Sequence, residues 1–401
     1  MSTIPSGRTH RAGVIFFAAM PISAALGALA LPVIQAIAAL WGTPWRDLPR
    51  LGRAHADWLL PLLLALAWAC ASAFWSISGD APLRAAKLAL VFGLALLFAA
   101  SAAFGDAAKR WTRYGLIGGA ILLTGLSLIE AFAALPLNRL AQPEAIDMGA
   151  LSRNPARGIC LLMILVFPAM IALWRTALPA LRLAAFVLWA SGGLLSLQLG
   201  FAANAGAFTL GSAAFLFALA LPRLALPLSG LAWAGWLLAA PWLSGQVGVI
   251  SDSLPLSWRM REQIWGFVTD RIVERPWFGW GFASARSFEG QQSLDGVRFG
   301  NVPLHTHSGS MQIWLEFGVV GAILVALAML LATRSALRAL GDDRLAAAGA
   351  TGAIAAAWVP FNVSYGAWQE WWLVSLACGA TACACLRAPA LSAWKPSDQR
   401  N

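Results

Sequence analysis

Charge is scarce in this sequence. Asp, Glu, Lys and Arg make up 11% of its 401 residues and hydrophobic residues 59%, whereas soluble domains carry roughly a quarter charged. That excludes an ordinary soluble globular protein, and apolar runs repeated along the whole length point to a polytopic membrane protein. Cysteine is sparse too. The five, Cys70, Cys160, Cys378, Cys383 and Cys385, all lie inside apolar segments, with neither metal-ligand spacing nor a partner in an exposed loop. They read as small hydrophobes, which excludes a disulfide framework or redox chemistry. A stripe of one charge sign is also missing. The net charge of +10 is scattered between apolar runs, so membrane orientation explains it better than a nucleic-acid partner.

What is present is a series of apolar runs of membrane-crossing length, about 20 residues each. They lie near 58–78, 88–104, 114–135, 158–174, 224–247, 311–333, 345–364 and 371–386. The stretch 183–222 is forty residues without a charge, broken by the polar patch Gln198 to Asn204, and predicts two helices with a short turn. The run 12–40 is long for one tilted helix and short for two, and carries Pro21 and Pro32. Read as a short helical hairpin, it gives twelve segments with both ends inside. Seventeen Lys or Arg then fall on the cytoplasmic side, against five outside a long loop: Arg84, Lys87, Arg139, Arg153 and Arg157. A cleaved leader ending near Ala28 to Ala30, with Arg8 and Arg11 before it, is the alternative. The expected fold class is an all-α polytopic integral membrane protein of about twelve transmembrane helices. Nine helices would occupy 1–247, an extracytoplasmic loop 248–310, three further helices 311–388 and a cytoplasmic tail 389–401.

The long loop is where chemistry can be housed. It holds Arg259, Arg261, Arg271, Arg275, Arg286 and Arg298 against Asp252, Glu262, Asp270, Glu274, Glu289 and Asp295. "SWRMREQIWGFVTDRIVERP" predicts a helix capped by Ser257, with Ile264, Trp265, Val268 and Ile272 as an apolar stripe and Pro276 as its end. It would lie amphipathically on the outer leaflet, followed by "WFGWG" as a tight turn packed on headgroups. Arg271 and Arg275 alternate with Asp270 and Glu274, as on a solvated face. "HTH" next to Pro303 is expected to be extended, with His305 and His307 on one side and Thr306 opposite. Ser308 then caps the helix "GSMQIWLEF".

The free N–H groups at that helix start form a ready anion site. Two other helix starts repeat the theme. Asp80 and Pro82 precede Arg84 and Lys87, and Asn154 and Pro155 precede Arg157 in a first turn. A cation there opposes the helix dipole by a few tenths to about 1 kcal/mol, which a bound anion would offset; snorkelling to headgroups is the alternative reading. His305 and His307 could chelate a metal, but no further ligands cluster with them. No acidic pair stands in an outer loop either, Asp342 and Asp343 being cytoplasmic, so a metal-independent site is expected. A lipid-linked sugar diphosphate gains negative charge as its glycosidic bond breaks. Arginine forks suit that leaving group. A histidine, titrating at about 6.5 when unperturbed, suits the acceptor's proton.

From "RMREQIWGFVTDRIVERPWFGWGFASAR" through "LHTHSGSMQIWLEFGVVGA" the chain resembles the O-antigen ligases, which share a superfamily with O-antigen polymerases. The shared patterns are Arg-x-x-Ile-Trp, Pro-x-x-Gly-x-Gly and His-x-His-Asn-x-x-x-Gln-x-x-x-Glu-x-Gly, with weaker agreement at "AFWSISGDAP". The resemblance implies transfer of a finished polysaccharide from undecaprenyl diphosphate to a lipid A-core acceptor, on the periplasmic side of a bacterial inner membrane, without metal or cofactor. It implies Arg261 as the grip on the diphosphate and His307 as the base. Arg259, Arg157, Arg84 and Lys87 are further candidates for the donor diphosphate, and His305, Arg286, Ser308 and Glu316 for support. Two positions depart from the pattern. Ser308 replaces the usual Asn, and "FAANAGAFTLG" lacks an arginine many members carry, for which Arg157 or Arg84 could substitute. A polymerase using the same donor is one alternative. A non-enzymatic transporter of lipid-linked glycan is another, although the helix centres are nearly uncharged apart from Glu130 and Glu316, and no repeat relates two halves.

Overall fold

Turn residues and apolar run lengths divide the described residues into fifteen α-helices and one small hairpin. A computed structural model describes residues 7–145, 147–176, 178–246 and 254–387. Asp252 and the tail with Lys395 and Arg400 lie outside the described residues. Helices α1 (Gly7–Ala25) and α2 (Leu31–Gly42) are joined by a turn in which Gly27 and Ala28 both have positive φ. There follow α3 (Leu48–Ala54), α4 (Ala56–Ser72), α5 (Ala81–Ala102), α6 (Gly105–Phe132), α7 (Pro136–Ala141) and α8 (Met148–Trp174). Helices α9 (Pro179–Ser196) and α10 (Ala202–Ala220) meet at the polar patch around Gln198, and α11 (Pro222–Ser244) completes the first part. Then come α12 (Leu256–Glu274), strands β1 (Gln291–Leu294) and β2 (Val297–Gly300), α13 (Gly309–Leu340), α14 (Arg344–Val363) and α15 (Glu370–Ala384).

Among the described residues nine helices are long and apolar enough to cross a membrane: α4, α5, α6, α8, α9, α10, α11, α13 and α14. The chain is therefore an all-α, multi-pass membrane protein. Helices α1 and α2 are shorter apolar helices, and α15 has 15 residues. At the bundle's centre stands α8, packed by α1, α6, α9, α10, α14 and α15. From Ile159 to Val166 it is buried on every side, as a helix apolar all round must be. Its start corrects the sequence expectation. Asp147, not Asn154, caps it, accepting from the Gly149 amide at 2.8 Å, so Arg157 sits in its third turn rather than its first.

The end of the bundle where α8 and α13 finish is tied by ion pairs: Arg175 with Asp343, Arg223 with Asp342 and Arg338 with Asp57. The opposite end carries α12, the hairpin and the start of α13. Helix α12 begins at Leu256 after Pro255, whose carbonyl receives the amides of Trp258 and Arg259. Ser257 therefore lies inside the first turn and is not the cap. Ile264, Trp265, Val268 and Ile272 form a buried stripe, but α12 packs it on α13 and α11; the stripe is covered by protein, not by the outer leaflet.

The backbone of the "WFGWG" turn meets protein, while the Trp277 and Phe278 side chains stay exposed. Helix α13 breaks at Gly318 (φ 61°, ψ −162°), a backbone state open essentially to glycine alone. The broken ladder is completed by residues 276–281. Trp280 and Gly281 donate to the carbonyls of Leu315 and Glu316 at 2.8 and 2.9 Å, while Val319 and Val320 donate to those of Pro276 and Trp277 at 2.8 and 3.3 Å. The backbone groups freed by the kink thus find partners, as buried backbone requires. On its other side the segment is clasped by the end of α4 and the turn after it: Phe282 donates to Ser72 Oγ at 3.0 Å and accepts from Ser76 Oγ at 2.6 Å.

Candidate functional site

The clasp delivers three things to one place: the histidine segment ahead of α13, Arg261 of α12, and the loop between α14 and α15. Trp265, at the core of α12's buried stripe, donates its indole N–H to the Thr306 carbonyl at 2.8 Å, fixing "HTH" against α12. Ser308 caps α13, its Oγ accepting from the Met311 amide at 3.3 Å. The segment is not extended, because His307 has φ 56°. The two rings nevertheless come together, with centroids 4.4 Å apart. They meet through a left-handed turn rather than through strand alternation.

Hydrogen bonds assign the protons of both rings. His307 Nδ1 lies 3.1 Å from the Ser364 carbonyl, which can only accept, so Nδ1 carries the hydrogen and Nε2 the lone pair. His305 Nδ1 accepts the His307 amide at 3.1 Å, so its own proton sits on Nε2. Burial first, and then the nearby Arg261, push the His307 pKa down to about 4. Burial, followed by His307, Arg286 and Arg261, pushes that of His305 down to about 3. Both rings are neutral at neutral pH, and His307 presents a free acceptor nitrogen.

Arg261 stands on α12 with its Nη1 donating to the Ser257 carbonyl at 2.9 Å and its guanidinium 5.3 Å from the Trp258 ring centroid. Its Nε is buried with no hydrogen-bond partner, and burial lowers its pKa. No carboxylate among the described residues pairs with it. Two residues away, Arg259 points elsewhere and forms an ion pair with Asp295 in the β1–β2 turn. Positions i and i+2 of a helix do not share a face. Arg271 pairs with Glu274 at 2.6 Å, and Arg275 stacks on Trp280 at 4.0 Å.

A polar cavity of ≈ 80 Å³ opens on His305, lined also by Arg84, Lys87, Arg286, Gln312 and Glu370. The two cations at the start of α5 already have partners here. Arg84 pairs with Asp80 at 2.5 Å and Lys87 with Glu370 at 2.7 Å, so carboxylates of the protein already offset both charges. The Ser78 hydroxyl and then Arg84 hold the Asp80 pKa below its usual value. Arg157 does not line this cavity; it donates to the Gly27 carbonyl at 3.5 Å and lies 5.9 Å over Trp371. Glu316 is fully buried. It accepts from the Ala283 amide (3.0 Å), Trp368 Nε1 (2.8 Å) and Gln312 Nε2 (2.9 Å). Gln312 in turn accepts from the Ala367 amide at 3.0 Å. This carboxylate ties the clasp, α13 and the 364–368 loop together.

Beneath the polar cavity an apolar one of ≈ 240 Å³ runs between α4, α5, α13 and α15, from Trp58 to Trp368. The two share Leu88, Trp368 and Leu373. Sequence reading missed the Ser364 carbonyl, Trp368, Glu370 and the whole β-hairpin. The hairpin had a signal: Asp295-Gly296, both at positive φ, is a favoured two-residue hairpin turn. The four-residue spacing of Gln312 and Glu316 also marked a shared helix face. A backbone carbonyl leaves no such trace. Among the described residues no group of three or more His, Cys, Asp or Glu could hold a metal ion.

No protein-family model matches the chain. Part of it is similar to proteins named "Putative polysaccharide ligase" from three Rickettsia species. Identity is 30% over 118 residues for the protein of Rickettsia prowazekii (strain Madrid E), 30% over 116 for that of Rickettsia conorii and 31% over 116 for that of Rickettsia felis. Each match spans 28% of this chain and 28% of the relative. Over that stretch the chain is a weak relative of ligase-named proteins, and its helices place it among multi-pass membrane proteins.

Proposed function

We propose that this protein is a membrane glycosyltransferase of the O-antigen ligase type. It joins a glycan carried on undecaprenyl diphosphate to a lipid A-core acceptor, without a metal, on the periplasmic side of the inner membrane. The observation that carries the reading is a neutral imidazole with its lone pair on Nε2, set beside a half-buried guanidinium whose Nε has no partner and which no carboxylate among the described residues answers. The acceptor hydroxyl attacks the anomeric carbon, and its proton passes to His307 Nε2. The bond from that carbon to the diphosphate oxygen breaks, and undecaprenyl diphosphate leaves with the electron pair. Arg261 stabilises the added charge, and the diphosphate's own charge raises the His307 pKa back toward the working range. Arg286, Arg84 and Lys87 border the polar cavity where the headgroup and glycan enter, and the apolar cavity below it suits the first isoprene units. The similarity to ligase-named proteins supports the same class.

The test gives purified protein an undecaprenyl-diphosphate glycan with and without a lipid A-core acceptor, and with and without chelator. Joined product that requires the acceptor and ignores chelator is expected. Chain extension without acceptor selects a polymerase instead, and undiminished turnover in both Arg261→Ala and His307→Ala rejects the mechanism.

A further inference from the structure

His307 holds a left-handed backbone conformation, φ 56°, that residues with a β-carbon seldom adopt. Something must hold it there. Of the contacts around it, one is made by a side chain directly to its backbone: His305 Nδ1 accepts the His307 amide hydrogen at 3.1 Å. His305 is itself backed by the loop before α15, where a β-carbon at Gly366 would lie only 2.8 Å from the His305 Cβ. The rings meet edge to face at 4.4 Å, so a displaced His305 also loses its contact with the His307 ring. One nitrogen of His305 is thus spent on a backbone amide, the role an Asn or Asp takes in a side-chain turn.

We propose that His305 is a positioning residue: by accepting the His307 amide it fixes the left-handed turn that aims the free Nε2 of His307 at the acceptor hydroxyl. The proposal rests on the glycosyl-transfer reading above and assigns His305 no contact with the reacting atoms. The groups facing His307 are Arg261 from α12, His305 from its own segment and the Ser364 carbonyl from the loop before α15. Arg286, Arg84, Lys87 and Glu370 stand around the cavity on the His305 side.

The test uses two amides that each mimic one imidazole nitrogen. His305→Asn keeps an acceptor where Nδ1 stood, and His305→Gln keeps a polar group only where Nε2 stood. Full-length protein in detergent is given the undecaprenyl-diphosphate glycan and lipid A-core acceptor. H305N is expected within about threefold of the parent in kcat, and H305Q to lose about tenfold or more with KM unchanged. In H305Q the acid limb of the pH profile should also move up toward about 6.5, because a loosened His307 leaves the burial and the Arg261 charge that hold its pKa down. Gly366→Ala, which pushes on His305 from the other side, should shift kcat and the acid limb in the same direction, and serves if H305Q does not fold. Equal losses in the two amides, a larger loss in H305N, or a fall in kcat without movement of the acid limb overturns the proposal. Full activity of R261A and H307A would instead reject the underlying reading. Inactive R261A and H307A with indistinguishable H305N and H305Q reject only the positioning role.

Discussion

At the start of α5 two cations are matched to acids, Arg84 to Asp80 and Lys87 to Glu370, with all four side chains at least a third exposed. On α12, Arg261 is half-buried, its Nε has no partner, and among the described residues no carboxylate answers it. Both groups stand near the histidine pair, yet they differ in what they lack. A matched, solvated pair is already near its electrostatic minimum and gains little from a ligand. A half-buried guanidinium with an unpartnered Nε carries a desolvation penalty that a bound anion would relieve. On the proposed glycosyl transfer, the difference would separate residues that line an entrance from the residue that grips.

The largest effect that could break this contrast is at Arg261 and His307. Each change to alanine should lower kcat by roughly a hundredfold or more, read from product formation at saturating donor. Next is the clasp. Gly318→Ala places a β-carbon 2.4 Å from the Trp277 backbone and forces a glycine-only conformation, at about 1–3 kcal/mol. A lower melting temperature in detergent, with a matching loss of activity, would show it. A third measurement sharpens the electrostatics. His307 must be neutral to accept a proton, and its pKa is lowered to about 4; the acid limb of kcat/KM should therefore fall well below pH 6. Arg261→Gln removes a nearby positive charge, raises the His307 pKa and moves that limb upward. Smallest are R84A and K87A, which remove solvated pairs worth about 0.2–1 kcal/mol and should each change kcat by less than about fivefold. A hundredfold loss in R84A with full activity in R261A would invert the comparison.

The helices were legible because apolar run length and polar interruption are local signals. The uncharged stretch 183–222 turns at the Gln198 patch and breaks again only at Leu221, beside Pro222. Trp265 and Ile264 were legible as a buried stripe for the same reason, but not what would cover them, since period alone cannot tell a lipid-facing from a protein-facing side. Asn154 with Pro155 imitates a helix start. The cap at Asp147 starts the helix upstream of them, and it runs on through Pro155. The histidine pair was visible as a pair. The left-handed turn at His307, the Ser364 carbonyl that sets its tautomer and the 276–281 segment that closes the break in α13 are contacts between distant residues, and no local pattern encodes them.

The exchange of main-chain bonds at Gly318 also makes two segments far apart in the chain depend on each other. Residues 276–281 and the break in α13 each hold the partners the other needs. The upper turns of α13 cannot settle without the earlier stretch, and neither can be removed without unstitching the other. A chain severed between Arg286 and Leu304 should therefore keep its two pieces associated and competent, whereas one lacking 276–281 should fail at insertion.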